Sequence, residues 1–191
     1  MSTSKSAPTE FIKEWIRKPI QTASIIPSGK SLAKAMTNHI QLGDRVIELG
    51  AGTGAITHRI AKKIGNEGKM LAVEINPSMA MVLKNSIPDV DVMVADARNL
   101  IWIGQTSGMQ NVDSVVSSLG LIAMPYDVIE DILKASFGCL KEGGTFVQFT
   151  YSPISPIPHQ ILIDLGLVIE RTASVLKNIP PANVFTIKRK S

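Results

Sequence analysis

An apolar run that empties into three alternating glycines leaves a chain few options, and RVIELGAGTGA, Arg45 to Ala55, is such a run. Val46, Ile47 and Leu49 predict a short buried strand, while Gly50, Gly52 and Gly54 mark positions where backbone can approach a ligand with no Cβ in the way. The stretch Ile56 to Ile64 predicts a helix whose free N–H groups and positive dipole end face back onto that turn, so a carboxylate or phosphate is expected there. Lys69 to Val73 is a second short apolar strand, ended by Glu74, an acid placed to take two hydrogen bonds from a ribose. The spacing points to an adenosine cofactor.

Two cofactors meet that description. Gly50, Gly52 and Ala55 satisfy the dinucleotide fingerprint G-x-G-x-x-G/A with Glu74 in the ribose position. The wording E-L-G-A-G-T-G, with Glu48 inside the end of the strand and the third glycine at 54, resembles motif I of the class I S-adenosylmethionine-dependent methyltransferases. Glu74 and the Asp96 of VADAR continue the resemblance, Asp96 resembling that family's adenine-contacting acid. The resemblance implies S-adenosylmethionine as cofactor, held by Glu48, Gly50, Ala51, Gly52, Gly54, Glu74, Ile75, Asp96, Ala97 and Ser118.

With 191 residues, 45% of them apolar, the chain has material for one α/β domain and its core and too little for two. Twenty Lys and Arg against sixteen Asp and Glu give a formal charge of +4, a mild bias that suits an anionic surface. A single cysteine, Cys139, excludes an internal disulfide and reads as a small core residue at a helix end. No apolar run is long enough to span a bilayer, and the polar start MSTSKSAPTE has no signal-peptide core, so a soluble or peripheral protein is expected; with a lone cysteine that suits a reducing compartment, the expected place is the cytoplasm, peripheral to the inner membrane. His39, His58 and His159 lack partners at ligand spacing, so no metal is expected.

Residues 1–9 read as a disordered tail. From Glu10 to Lys18, Phe11, Ile12, Trp15 and Ile16 recur at helical spacing opposite Lys13, Glu14, Arg17 and Lys18, and Pro19 ends the helix. Such a helix is either a lid on the domain's own core or an interfacial anchor at the inner membrane. Ser28 is expected to cap a helix over Gly29 to His39, closing an N-terminal helical region over 10–39. Asn76-Pro77 predicts a capped helix to Ser86, Asp91 to Ala95 a third strand, 104–110 a polar loop, Val112 to Ser117 a fourth strand, Tyr126 to Leu140 a helix and Thr145 to Tyr151 a fifth strand. After the proline-rich SPISPIPH and a short helix, Val168 to Leu176 and Asn183 to Arg189 read as antiparallel strands joined by KNIPP. The alternation predicts a doubly wound parallel sheet. The family resemblance implies a Rossmann-like, seven-stranded mixed sheet closed by that C-terminal hairpin.

The acceptor must be read near the end of strand four, at Ser117-Ser118-Leu119-Gly120. Adenine N6-methyltransferases of nucleic acids carry an N-P-P-Y-like run there, and this chain has neither its Asn nor its stacking aromatic, so no nucleic-acid partner is expected. Along the whole chain, EWIRKPIQTASIIPS, IELGAGTG, GLIAMP, FVQFTYSP and LKNIPPANVF resemble the small soluble bacterial phospholipid N-methyltransferases. That resemblance implies stepwise N-methylation of phosphatidylethanolamine to phosphatidylcholine by a protein peripheral to an anionic membrane, for which a monomer would suffice. Where that family often has a proline in the strand-four segment this chain has Leu119-Gly120-Leu121, which leaves open another amine, an ornithine lipid or a small molecule. An rRNA adenine N6-dimethyltransferase-like enzyme and a non-catalytic cofactor-binding protein stay open beside these. Tyr151, at the end of strand five, is the candidate to orient the amine, Asn178 to bond the head group, and Arg17, Lys18 and Lys30 to meet lipid phosphate.

Overall fold

The computed structural model describes residues 27–190. The amphipathic stretch over 10–18, with Arg17 and Lys18, lies outside the described residues. In chain order the elements are α1 (Pro27–Met36), β1 (Arg45–Leu49), α2 (Thr57–Ile64), β2 (Lys69–Glu74), α3 (Pro77–Ser86), β3 (Asp91–Val94), α4 (Leu100–Ser107), β4 (Val112–Ser117), α5 (Tyr126–Cys139), β5 (Leu140–Thr150), α6 (His159–Asp164), β6 (Leu167–Val175) and β7 (Ala182–Arg189).

All seven strands join one sheet in the order β3-β2-β1-β4-β5-β7-β6. β1 to β5 are parallel, and β7 enters antiparallel between β5 and β6. Chain order reverses between β1 and β4, the switch point at which open sheets of this kind accept ligands beyond their carboxyl ends.

Side-chain alternation along β1 sorts the two faces. Ile47 and Leu49 pack into a core with Leu100 and Ile103 of α4, Ile129 and Leu133 of α5 and Ile161 of α6. Val46 packs on the other face with Met36 of α1, Ile60 of α2 and Leu83 of α3. Glu48 has the parity of Val46, so its carboxyl points under α2 into a mostly apolar layer, toward the Thr57 hydroxyl.

Local rules account for several boundaries. Asn76 Oδ1 accepts from the amides of Ser78, at 2.9 Å, and Met79, at 3.3 Å, and Pro77 occupies the first helical position of α3, as the sequence predicts. α1 begins at Pro27, one residue before the Ser28 at which the sequence places its start. Residues 104–107, expected as loop, are the last turn of α4. The reason is a close approach: a Cβ at Gly104 would stand 2.9 Å from both Cys139 Sγ and Met109 O, so the glycine serves contact between α4 and the end of α5. Cys139 is the buried last residue of α5, where its Sγ donates to Leu100 O at 3.3 Å. Among the described residues no helix is long and apolar enough to cross a membrane.

Candidate active site

Five parallel strands end on one edge, and the β6–β7 connection returns to the same edge, because Thr150 pairs with Asn183 and Val175 with Ala182. In the spatial order of the strands that edge carries Asp96 after β3, Glu74 on β2, the glycine turn after β1, Ser118 after β4, Tyr151 after β5 and Asn178 before β7. Residues spread over more than half the sequence thus form one line.

The glycine turn is built by backbone geometry. Gly50, Gly52 and Gly54 have φ of +70°, +54° and +93°, conformations that side chains with a Cβ resist. Two of them also sit where the fold has no room. A Cβ at Gly54 would fall 2.6 Å from Leu83 Cδ1, and one at Gly50 would fall 2.9 Å from Leu119 Cδ2. At Gly52 nothing lies within 4 Å, so its missing Cβ leaves open space toward the edge. The Gly50 amide donates to Val73 O at 2.9 Å, and the Ser118 amide to Leu49 O at 2.8 Å, which fixes the turn to both neighbouring strands.

The acids have different surroundings. Glu74, 6% exposed, accepts from the Gly52 amide through Oε2 at 2.8 Å and from the Asn76 amide through Oε1 at 2.9 Å. Glu48 is fully buried; its Oε2 accepts from Thr57 Oγ1 at 2.6 Å and its Oε1 has no hydrogen-bond partner. Burial pushes the Glu48 carboxyl up to about 8, against the Thr57 hydrogen bond and with a smaller push from the Glu74 charge. Near neutrality this acid holds its proton. Asp96 caps the short turn Ala97–Asn99 by accepting from the Arg98 amide at 2.9 Å, and it pairs with the Arg98 guanidinium, Nη2 to Oδ2 2.7 Å. The guanidinium bond holds the Asp96 carboxyl below its usual range. Asp96 borders a cleft of about 450 Å³ walled by Arg98, Asn99, Asp131 and Lys134.

Tyr151 and Asn178 converge at the other end of the line. Burial pushes the Tyr151 hydroxyl up to about 12, opposed by a hydrogen bond with the Asn178 side chain, and the ring meets Phe149 edge-on with centroids 5.3 Å apart. Asn178, 4% exposed, also donates through Nδ2 to Pro180 O at 2.8 Å. Of the remaining expected residues, Ala51 and Ala97 are buried, Ile75 is exposed just beyond Glu74, and Ser118 Oγ is buried without a partner. Lys30 stands exposed near the start of α1.

Gln148, which no motif in the sequence singles out, belongs to this group. It is fully buried on β5 and donates through Nε2 to the carbonyls of Leu119 and Phe149, both at 2.8 Å, while its Oε1 has no partner. A glutamine inside FVQFT, where an alternating strand would carry an apolar residue, is the signal that could have found it. The edge therefore holds three orphaned buried oxygens, on Glu48, Ser118 and Gln148, beside a glycine whose absent Cβ leaves space, and a polar ligand with its own donors and acceptors fits such a site. Among the described residues no group of three His, Cys, Asp or Glu side chains could hold a metal ion.

Comparison with known proteins bears on this edge. The family described as methyltransferase domain matches residues 46–144, from β1 into β5. The chain is 28% identical over 182 residues to an ornithine lipid N-methyltransferase of Singulisphaera acidiphila, covering 92% of each chain. It is 32% identical over 122 residues to the ubiquinone/menaquinone biosynthesis C-methyltransferase UbiE of Neisseria gonorrhoeae, which takes in 62% of this chain and about half, 47%, of that one. Among solved structures, Aeropyrum pernix fibrillarin with natively bound S-adenosyl-L-methionine superposes with a TM-score of 0.62 at 19% identity, over 83% of this chain and 76% of that one. A TehB-like S-adenosylmethionine-dependent methyltransferase from Corynebacterium glutamicum gives 0.65 at 16% identity, over 95% and 97%.

Proposed function

Because the chain belongs to the methyltransferase domain family and is an S-adenosylmethionine-dependent enzyme, we propose that its acceptor is the amino head group of a membrane lipid: phosphatidylethanolamine and its mono- and dimethyl forms, leading to phosphatidylcholine. The observation that carries this reading is the convergence of Tyr151 and Asn178 at the end of β5, next to the strand whose end meets the glycine turn. Residues from the two chain segments that the cofactor site does not use close the same edge with polar groups suited to an amine.

When bound, S-adenosylmethionine supplies a methyl group already activated on a sulfonium. In this reading Glu74 holds the ribose, Asp96 faces the adenine, and the Gly50–Gly54 turn with Glu48 and Ser118 receives the amino-acid end. The protein's main task is then alignment and exclusion of water, a contribution worth up to roughly 7–11 kcal/mol. An alkyl ammonium about three pKa units above neutrality costs about 4 kcal/mol to deprotonate, so a strong general base is helpful and not obligatory. Tyr151, its hydroxyl protonated across the physiological range, orients the amine by hydrogen bonding or through its ring face.

A second reading, an ornithine lipid as acceptor, is favoured by the relative of that name that aligns over 92% of both chains. Incubation with labelled S-adenosylmethionine and, separately, vesicles of phosphatidylethanolamine, vesicles of ornithine lipid, ribosomal RNA and a panel of soluble amines tests both. Label in either lipid supports the lipid-amine class and chooses between its members; label only in RNA or soluble amines refutes it.

A further inference from the structure

The segment after β5 and the β6–β7 connection leave the sheet side by side and are joined, with Asn183 Nδ2 donating to Ser152 O at 3.0 Å. The first loop is braced from within: the Ser152 amide donates to Thr150 Oγ1 at 3.1 Å, the Ile154 amide to Ser152 Oγ at 3.2 Å and the Ile157 amide to Ser155 Oγ at 3.0 Å. Pro153, Pro156, Pro180 and Pro181 restrict the backbone of both. On these stiff tips three aliphatic side chains project into solvent: Ile154 is 69% exposed, Leu176 78% and Ile179 73%. One such residue is ordinary, whereas three on two bridged loops at one edge make a patch.

Charge and composition narrow the occupant. Residues 151–158 and 176–183 contain no Asp or Glu, and exposed Lys177 stands between Leu176 and Ile179. Protein-binding centres are usually anchored by Trp, Tyr or Arg, and the exposed positions here are aliphatic, proline and lysine. Aliphatic anchors beside an unopposed cation suit a headgroup layer over acyl chains. We propose that these two loops dock on the interface of an anionic lipid bilayer, with Ile154, Leu176 and Ile179 inserted and Lys177 at headgroup level. The proposal rests on the lipid-amine reading for its purpose: insertion would bring Tyr151 and Asn178, which lie in the same two segments, to the plane where lipid amines reside.

The test uses the full chain, whose one native cysteine, Cys139, is buried. Leu176→Cys and, separately, Ile154→Cys are labelled with an environment-sensitive dye and mixed with vesicles of phosphatidylethanolamine and an anionic phospholipid. Both dyes should shift to the blue and brighten, while a dye on exposed Lys62→Cys of α2 should not. Ile154→Ser/Leu176→Ser should weaken vesicle partitioning at least about tenfold, with unchanged affinity for S-adenosylmethionine by calorimetry. Dyes that enter the bilayer while no lipid is methylated support the surface and count against the acceptor reading alone. Dyes that stay in water on vesicles the enzyme methylates overturn the surface and leave that reading standing. Dyes already shielded before lipid is added, by another part of the chain or a second protein copy, overturn it as well.

Discussion

The amide of Gly52 donates to Oε2 of Glu74 at 2.8 Å, so the acid that ends β2 holds the middle of the glycine turn after β1. Its other oxygen takes the Asn76 amide, and since each carboxylate oxygen has two acceptor sites, both retain capacity toward a ligand. Glu74 thus has a structural duty and, in the proposed site, a binding one. Glu74→Ala should weaken S-adenosylmethionine binding by about 1.5–3 kcal/mol and cost about 1–3 kcal/mol of stability through the unpaired Gly52 amide. Calorimetric titration and urea denaturation of the folded variant read the two effects separately; unchanged cofactor affinity would remove Glu74 from the binding site.

Glu48 predicts a pH dependence with a definite sign. Its folded-state value, about 8, lies above the ordinary 4.5, so the folded protein keeps a proton that the unfolded chain releases. The resulting stabilisation is fully present below the ordinary value and is lost as pH rises toward about 8, at about 1.4 kcal/mol per pH unit. Glu48→Gln, which stays neutral, should flatten that slope in urea denaturation measured across the window. A native slope equal to that of the variant would show that Glu48 is ionised in the fold.

The glycines should separate by their surroundings. Gly54→Ala combines a left-handed backbone with a Cβ driven against fully buried Leu83 and should cost about 2–4 kcal/mol of stability. Gly52→Ala meets open space, so only the backbone term of about 1–2 kcal/mol applies, and the added methyl should chiefly obstruct cofactor. Denaturation should therefore rank Gly54→Ala as the less stable protein. Calorimetry should show a loss of affinity in the folded Gly52→Ala protein.

At the proposed acceptor end, Tyr151→Phe removes the hydroxyl and keeps the ring that meets Phe149. If the hydroxyl orients the amine, methylation of lipid should fall about tenfold with cofactor affinity unchanged, the size expected for one hydrogen bond. Because that hydroxyl titrates only near 12, the pH–rate profile of the native enzyme should not report it. A full rate in Tyr151→Phe would leave the ring as the contributing part.

Much of this architecture is legible in the sequence because its signals are local. Asn76-Pro77 announces a capped helix, the run before Gly50 announces a buried strand, and the acids that end β2 and follow β3 are placed by counting strands. What escapes depends on partners distant in the chain. GQTSG reads as loop until Gly104 is seen against Cys139, and Gln148 reads as an ordinary polar residue until its amide is seen holding Leu119 O across to the next strand. The sequence leads one to expect Asp96 facing a ligand, and its pairing with Arg98, two residues on, becomes visible only when the turn between them is folded. The meeting of Tyr151 and Asn178 is implicit in placing both near one substrate, but the contact itself is a product of the antiparallel register of β5 and β7.

The position of β7 has a consequence for the order in which the molecule can be assembled. β7 follows β6 in the chain yet lies between β5 and β6 in the sheet, so a nascent β6 has no strand to pair with until β7 has left the ribosome. The segment that matches the methyltransferase family, 46–144, can lay down its parallel strands earlier, whereas the edge around Tyr151 and Asn178 awaits a late, sequence-distant insertion. If Tyr151 and Asn178 receive the acceptor as proposed, the growing chain would pass through a stage that has the glycine turn without its acceptor end, and methylation would begin only once β7 is in place.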